Sequence, residues 1–138
     1  FERLPRVRKF LDDTLKSAEE KGYAETLAGR RRPIPELASP EPMVRANAKN
    51  IAVNTPVQGS AADVIKRAMI DLDARLAKEG IGGGMILQVH DELVIEVKQE
   101  HLDRASAATR ESMENAVKLS VPLKVDLGTG ASWLDAHG

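Results

Sequence analysis

The stretch that most limits how this chain can fold is Met85-Ile86-Leu87-Gln88-Val89-His90-Asp91-Glu92-Leu93-Val94-Ile95-Glu96-Val97. After Glu92, the residues Leu93, Ile95 and Val97 alternate with Val94, Glu96 and Lys98, the period-two pattern of a strand with one buried face. Ahead of it, Met85, Leu87 and Val89 alternate in the same way with Ile86, Gln88 and His90. Three glycines, Gly82, Gly83 and Gly84, lead into the first run. The pattern predicts a β-hairpin that carries Asp91 and Glu92 at its apex, on a rigid element rather than a loose loop.

Neighbouring carboxylates at a tight turn repel unless a cation or hydrogen-bond donors offset their charge. A hard cation such as Mg²⁺ prefers oxygen ligands, keeps several waters, and commonly takes one or two protein carboxylates beside substrate phosphates. Such a tip therefore suits phosphoryl transfer. Asp and Glu also favour turns and water for their own sake, and the pair alone does not choose between the two readings.

Helical spacing organises the rest. Leu4, Val7, Phe10, Leu11, Leu15 and Ala18 form one apolar stripe that Gly22 should terminate, with Arg6, Arg8, Lys9 and Lys16 on the solvated side. Residues 23–27 read as a short strand. Gly29, three arginines and Pro33-Ile34-Pro35 then make a turn with an extended return, and Pro40 and Pro42 mark a loop. A helix is expected over 43–53, interrupted by Pro56. Ser60 is placed to N-cap the next helix with Asp63 completing a capping-box-like pair, and Ala61, Val64, Ile65, Ala68, Met69, Leu72 and Leu76 supply its buried stripe. Leu102, Ala105, Thr109, Met113, Ala116 and Val117 mark a further amphipathic helix. Leu123, Val125 and Leu127 alternate again, so a last strand should pair with the hairpin, and Trp133 should dock the tail on the body. The fold class is α+β: an antiparallel hairpin and a further strand packed on long helices.

Four aromatic residues in 138 leave a mainly aliphatic core, and no apolar run approaches the ~18 residues of a membrane span. The absence of cysteine excludes disulfides and thiolate metal sites. Basic residues outnumber acidic ones in 1–69 by 13 to 9, and acidic outnumber basic in 70–138 by 12 to 7. A basic half can follow a phosphate backbone, although segregation this mild also occurs in proteins that bind no polyanion. The chain opens on Phe1, mid-helix by pattern, and is expected to be a piece of something longer.

Gln88-Val89-His90-Asp91-Glu92 resembles the C-terminal catalytic motif of family A DNA polymerases, the DNA polymerase I type. The same family's preceding segment is similar to Asn54-Thr55-Pro56-Val57-Gln58-Gly59-Ser60-Ala61-Ala62-Asp63. Phe1-Glu2-Arg3-Leu4-Pro5, Thr26-Leu27-Ala28-Gly29-Arg30-Arg31-Arg32 and Gly130-Ala131-Ser132-Trp133 also match, in the family's order. The resemblance implies part of a right-hand polymerase palm (56–138) with a fingers-side helix, basic hairpin and linker (1–55). It implies template-dependent nucleotidyl transfer with two Mg²⁺ ions, Mn²⁺ being an alternative, on primer–template DNA and a deoxynucleoside triphosphate. Asp91 is then a direct metal ligand and Glu92 an auxiliary carboxylate. His90 positions the primer terminus or, alternatively, is a hairpin histidine bonded to a backbone carbonyl.

Asn54 and Gln58, four apart, can offer two amides to minor-groove acceptors that sit alike on every base pair, or can cap the broken helix. Arg30 and Arg31 are phosphate contacts in this reading, or a solvated turn. One departure stands out: Lys49-Asn50 replaces the family's common Glu-Arg, so Lys49 or Arg45 would take over part of the DNA grip. The family's second catalytic aspartate and its triphosphate-gripping helix lie upstream and have no counterpart in this sequence, so activity is expected to need an upstream portion. The alternative is a catalytically inactive DNA-binding remnant or accessory module of the same fold. A free-standing nuclease would need a carboxylate cluster that the scattered acidic residues do not make. By resemblance the compartment is cytoplasmic, of bacterial or phage type, with an organellar origin left open.

Overall fold

The computed structural model describes residues 4–137, which divide into two compact units between Asp63 and Val64. The expectation of a helix already under way at Phe1 falls outside the described residues. Helix α1 (Pro5–Lys21) has a proline at its first turn, where the missing N–H was to be unpaired anyway. It stops at Gly22, whose φ of 75° closes a left-handed cap with its N–H donating to the Ala18 carbonyl at 2.8 Å. The predicted stripe is buried only toward its C-terminal end. Ala18 is covered and Leu15 packs against the core, whereas Leu4, Val7 and Phe10 are exposed.

Strands β1 (Tyr23–Glu25) and β2 (Arg31–Pro33) pair antiparallel with Tyr23 opposite Pro33 and Glu25 opposite Arg31. A 3₁₀ turn (Pro35–Ala38) leads to α2 (Pro42–Asn54). The core of this unit is small-residue packing: Ala18, Ala24, Ile34, Ala48 and Ala52, flanked by Leu15, Leu37 and Ile51.

Pro56 does not break the helix as expected. A single π turn (Thr55–Gly59) carries the chain from α2 straight into α3 (Ser60–Lys78). Proline has no N–H to give and its ring crowds the carbonyl four residues back, so a wider turn relieves both problems. Ser60 is therefore not an N-cap. Its hydroxyl donates to the Pro56 carbonyl and accepts the Leu27 N–H at 2.9 Å. Asp63, instead of closing a capping box, accepts from the Thr26 hydroxyl at 2.6 Å and from Arg30 Nε at 2.8 Å.

In the second unit Leu72, Leu76, Ile81, Ala105 and Ala108 form the core, the last two from α4 (Leu102–Glu114). Strands β3 (Gly83–Val89) and β4 (Glu92–Val97) make the predicted hairpin, with Met85, Leu93, Ile95 and Val97 packed on that core. The alternation expected of Met85, Leu87 and Val89 fails. Met85 lies opposite Ile95 and Leu87 opposite Val94, which leaves Ile86 as the extra residue of a β-bulge. Cross-strand partners share a face, so the bulge turns Leu87 away from the core face, and it is 47% exposed. Gly83 has a φ of 129°, and a Cβ there would sit 2.0 Å from the Glu96 carbonyl oxygen, so only glycine lets the strands close at the hairpin's base.

The last strand anticipated at 123–127 does not form. That segment follows Pro122 and is tied by a side chain instead of a ladder, with the Val125 N–H donating to Glu114 Oε1 at 3.2 Å. A one-turn helix, α5 (Trp133–Ala136), closes the described chain. Trp133 is half exposed rather than docked, and its ring meets His137 edge-on at 5.1 Å. No described helix is long and apolar enough to cross a membrane.

On α3, Arg75 donates to Glu79 at 2.7 Å and to Glu111 at 2.6 Å. The hydrogen bond from Arg75 holds the Glu79 carboxyl below its ordinary range, with the nearby charges of Arg75, Arg104 and Lys78 acting in the same direction. A depressed folded value stabilises the native state above the unfolded carboxyl's titration, and that contribution fades as pH falls through the lowered value. An NMR titration should find the Glu79 midpoint below that of an exposed glutamate. Arg75→Gln should move it up toward the ordinary value, with Arg104 and Lys78 still holding it slightly low; an unmoved midpoint would contradict the assignment.

Candidate active site at the acidic hairpin tip

Two residues, His90 and Asp91, connect β3 to β4, since Val89 pairs directly with Glu92. His90 has a φ of 54° and is the one non-glycine among the described residues with a positive φ. A positive φ in a two-residue hairpin loop lets the turn follow the twist of the flanking strands. Histidine tolerates this conformation better than most side chains. The Gln88 amide donates to the His90 carbonyl at 2.5 Å and so braces the loop from within. It is thus the backbone carbonyl of His90, and not its imidazole, that takes part in the hairpin's hydrogen bonding.

The carboxylates do not share the apex as equals. Asp91 is exposed in the loop itself. Glu92 is already the first residue of β4, and its Oε2 lies 3.0 Å from Nε2 of His137. The other ring nitrogen of His137 is 3.0 Å from the Trp133 carbonyl oxygen. Both nitrogens face acceptors, an arrangement that only the doubly protonated ring satisfies with two donors. The Trp133 carbonyl first, and Glu92 second, accordingly raise the His137 pKa above its ordinary value. The sequence alone does not mark His137 as part of the tip. A histidine four residues after a tryptophan hints at a helical-turn contact, but nothing local points to a glutamate 45 positions away.

No group of three or more His, Cys, Asp or Glu able to hold a metal ion occurs among the described residues. The tip nonetheless suits a hard divalent cation in part. It offers anionic oxygen from Asp91 and the oxygen of Glu92 that His137 does not occupy, and Mg²⁺ often takes only one or two carboxylates with the remainder from water and phosphate.

In the first unit, Asn54 and Gln58 are exposed on and beside the π turn, and neither side-chain amide bonds another described residue. The arginines are more engaged than the sequence suggested. Arg30 reaches Asp63 through Nε and the Gly59 carbonyl through Nη2 at 3.1 Å, which fastens the β1–β2 turn to the π turn. Arg31 pairs with Glu25 at 2.8 Å and lies 4.8 Å over the Tyr23 ring. Arg45 donates to the Ser39 carbonyl at 2.7 Å and Lys49 pairs with Glu19 at 3.1 Å, while Asn50 is exposed. A guanidinium has five N–H donors, so each arginine keeps some for a further acceptor.

Comparison with known proteins identifies relatives of the chain. The sequence profile of DNA polymerase family A matches residues 1–135. DNA polymerase I of Bacillus caldotenax is 48% identical over 136 residues, which is 99% of this chain and 16% of that protein. The thermostable DNA polymerase I of Thermus filiformis is likewise 48% identical over 136 residues, again 99% of this chain and 16% of that protein. The chain thus spans about a sixth of the length of such relatives. Among solved structures, the POL domain of Pol1 from M. smegmatis, in complex with DNA primer-template and dNTP, matches with a TM-score of 0.97 at 44% identity, covering 100% of this chain and 24% of that one.

Proposed function

The chain belongs to DNA polymerase family A, and from that premise we propose that it supplies the C-terminal part of a template-directed DNA polymerase active site. The reading rests chiefly on one observation, an exposed Asp91 on a two-residue turn stiffened by Gln88 with Glu92 held beside it. A binding remnant has no use for two adjacent carboxylates, which only weaken its hold on a polyanion.

Divalent cations, when bound, activate the primer hydroxyl and offset charge on the departing pyrophosphate. Asp91 contributes a direct carboxylate ligand. Glu92 offers its free oxygen to a metal-held water or to a cation, as an auxiliary. His90, at the start of the turn, orients the primer terminus. Asn54 and Gln58 donate to minor-groove acceptors common to all base pairs, so they test pair shape without reading sequence. Arg30 and Arg31, with Arg45, add phosphate contacts through the donors not spent on their own protein partners. Residues 1–55 are assigned to the fingers side and 56–138 to the palm. Further carboxylates and the triphosphate grip come from an upstream portion, primer–template DNA and dNTP are the partners, and the setting is the cytoplasmic one of bacterial polymerases.

A chimera tests this. The matching segment of the Bacillus caldotenax enzyme is replaced by this chain, and extension of a labelled primer is followed with Mg²⁺, with Mn²⁺ and with chelator. The expected outcome is metal-dependent extension. A folded chimera that binds primer–template but adds no nucleotide would favour the inactive remnant.

A further inference from the structure

The geometry points to His137 as a positioning residue that pins one oxygen of Glu92 and thereby keeps this carboxylate from closing on a metal ion with both. The inference rests on the assignment of Asp91 and Glu92 to the metal site. What carries it is the contact itself: Nε2 of His137 lies 3.0 Å from Glu92 Oε2, across 45 residues of sequence. The ring is not free to swing away. Its other nitrogen is bound to the Trp133 carbonyl at 3.0 Å, and the Trp133 ring abuts it at 5.1 Å with an interplanar angle of 85°. Ser132 in turn fixes the start of that helical turn, its hydroxyl donating to Asp135 Oδ2 at 2.6 Å and accepting the Asp135 N–H at 3.3 Å.

The closing segment thus does more than end in a helical turn of its own. Trp133 and Ser132 hold the histidine, the histidine holds Glu92, and Asp91 is left as the carboxylate with both oxygens available. A carboxylate that has given one oxygen to a fixed donor can offer a cation only the other, directly or through water. The hairpin tip then presents one strong ligand and one restrained one instead of two competing ones.

Side-chain topology supplies the test, in the 138-residue chain with Mn²⁺ as the probe. His137→Gln keeps a donor at the position of Nε2, whereas His137→Asn keeps one at the position of Nδ1 and loses the reach to Glu92. In the unsubstituted chain Mn²⁺ should broaden the side-chain carboxyl ¹³C signals of Asp91 and Glu92. In His137→Ala and His137→Asn the Glu92 carboxyl signal should move and the Mn²⁺ dissociation constant should fall about two- to fivefold, the range an exposed pair's coupling allows. His137→Gln should stay near the unsubstituted values. Unchanged methyl signals of Leu93, Ile95 and Val97 certify that the hairpin is intact in each variant. An unmoved Glu92 signal with unchanged affinity in His137→Ala, or His137→Gln behaving as His137→Ala, overturns the role given to His137. Absence of Mn²⁺ broadening at both carboxylates of the unsubstituted chain overturns the metal assignment beneath it.

Discussion

Asp91→Ala in the chimeric polymerase is expected to lower the single-turnover rate of nucleotide addition on the order of 10³-fold, with primer–template affinity changed by less than about threefold. The magnitude follows from the kind of interaction lost. A preorganised group aimed at charge that develops in the transition state is worth roughly 10²–10³ in rate, and a carboxylate that would hold the cation contributes through the charge the cation would offset. The substitution should leave the fold in place. Asp91 is exposed in a two-residue loop whose brace, the Gln88 amide on the His90 carbonyl, does not involve the aspartate side chain, and such surface changes fall within about 0.5 kcal/mol. Glu92→Ala should cost less, about 10–100-fold, as befits a carboxylate one step removed from the cation. Rapid-quench measurement at saturating dNTP separates these outcomes. An Asp91→Ala chimera that retains rates within a few fold of its parent would remove this residue from the chemistry.

The second large effect is on stability. Leu72→Ala empties a site of 0% exposure in the middle of α3, where Leu76, Ile81, Ala105 and Ala108 close around it. Leucine truncations of this kind cost about 2–5 kcal/mol, the transfer free energy of the lost carbons plus the cavity left behind. Small neighbouring alanines cannot move in to fill the space, since their Cβ atoms are fixed by the backbone. Against a total of about 5–15 kcal/mol for an ordinary domain, the variant should show a much lower urea midpoint. Ile70→Ala, two positions earlier and 70% exposed, is the control and should shift stability by no more than about 0.5 kcal/mol. Equal midpoints for the two variants would mean that the core of this unit has been placed wrongly.

That contrast between Leu72 and Ile70 was legible in the sequence, because a helix repeats every 3.6 residues and only one set of positions along α3 could face inward. The strand β4 was legible for the same kind of reason, with Leu93, Ile95 and Val97 on its packed face. The candidate site was legible only as residue types in an order: Asp91 and Glu92 at the tip, Asn54 and Gln58 beside Pro56. Their detailed settings were not. Periodicity assumes a regular ladder or turn, and this chain departs from regularity at the extra residue Ile86 and at the π turn at Thr55–Gly59. Pairing along a strand depends on its neighbour, so no reading of β3 alone could place the bulge. The ties that set the side chains are longer-range still. Asp63 reaches back 37 residues to Thr26, and His137 reaches 45 to Glu92. The alternation at Leu123, Val125 and Leu127 misled because period two is necessary for a strand and not sufficient. After Pro122 the backbone is instead held by the carboxylate of Glu114.

The surplus residue in β3 has an evolutionary corollary. Met85 faces Ile95 and Leu87 faces Val94 whether or not Ile86 lies between them, so a gene lacking that single codon could still encode a ladder with every partner retained. What it would surrender is the local over-winding that a bulge imparts. Asp91 would stay in its hairpin but be aimed in another direction. Tolerance of the deletion in folding, coupled to its intolerance in copying DNA, would mark Ile86 as a residue kept for where it points others.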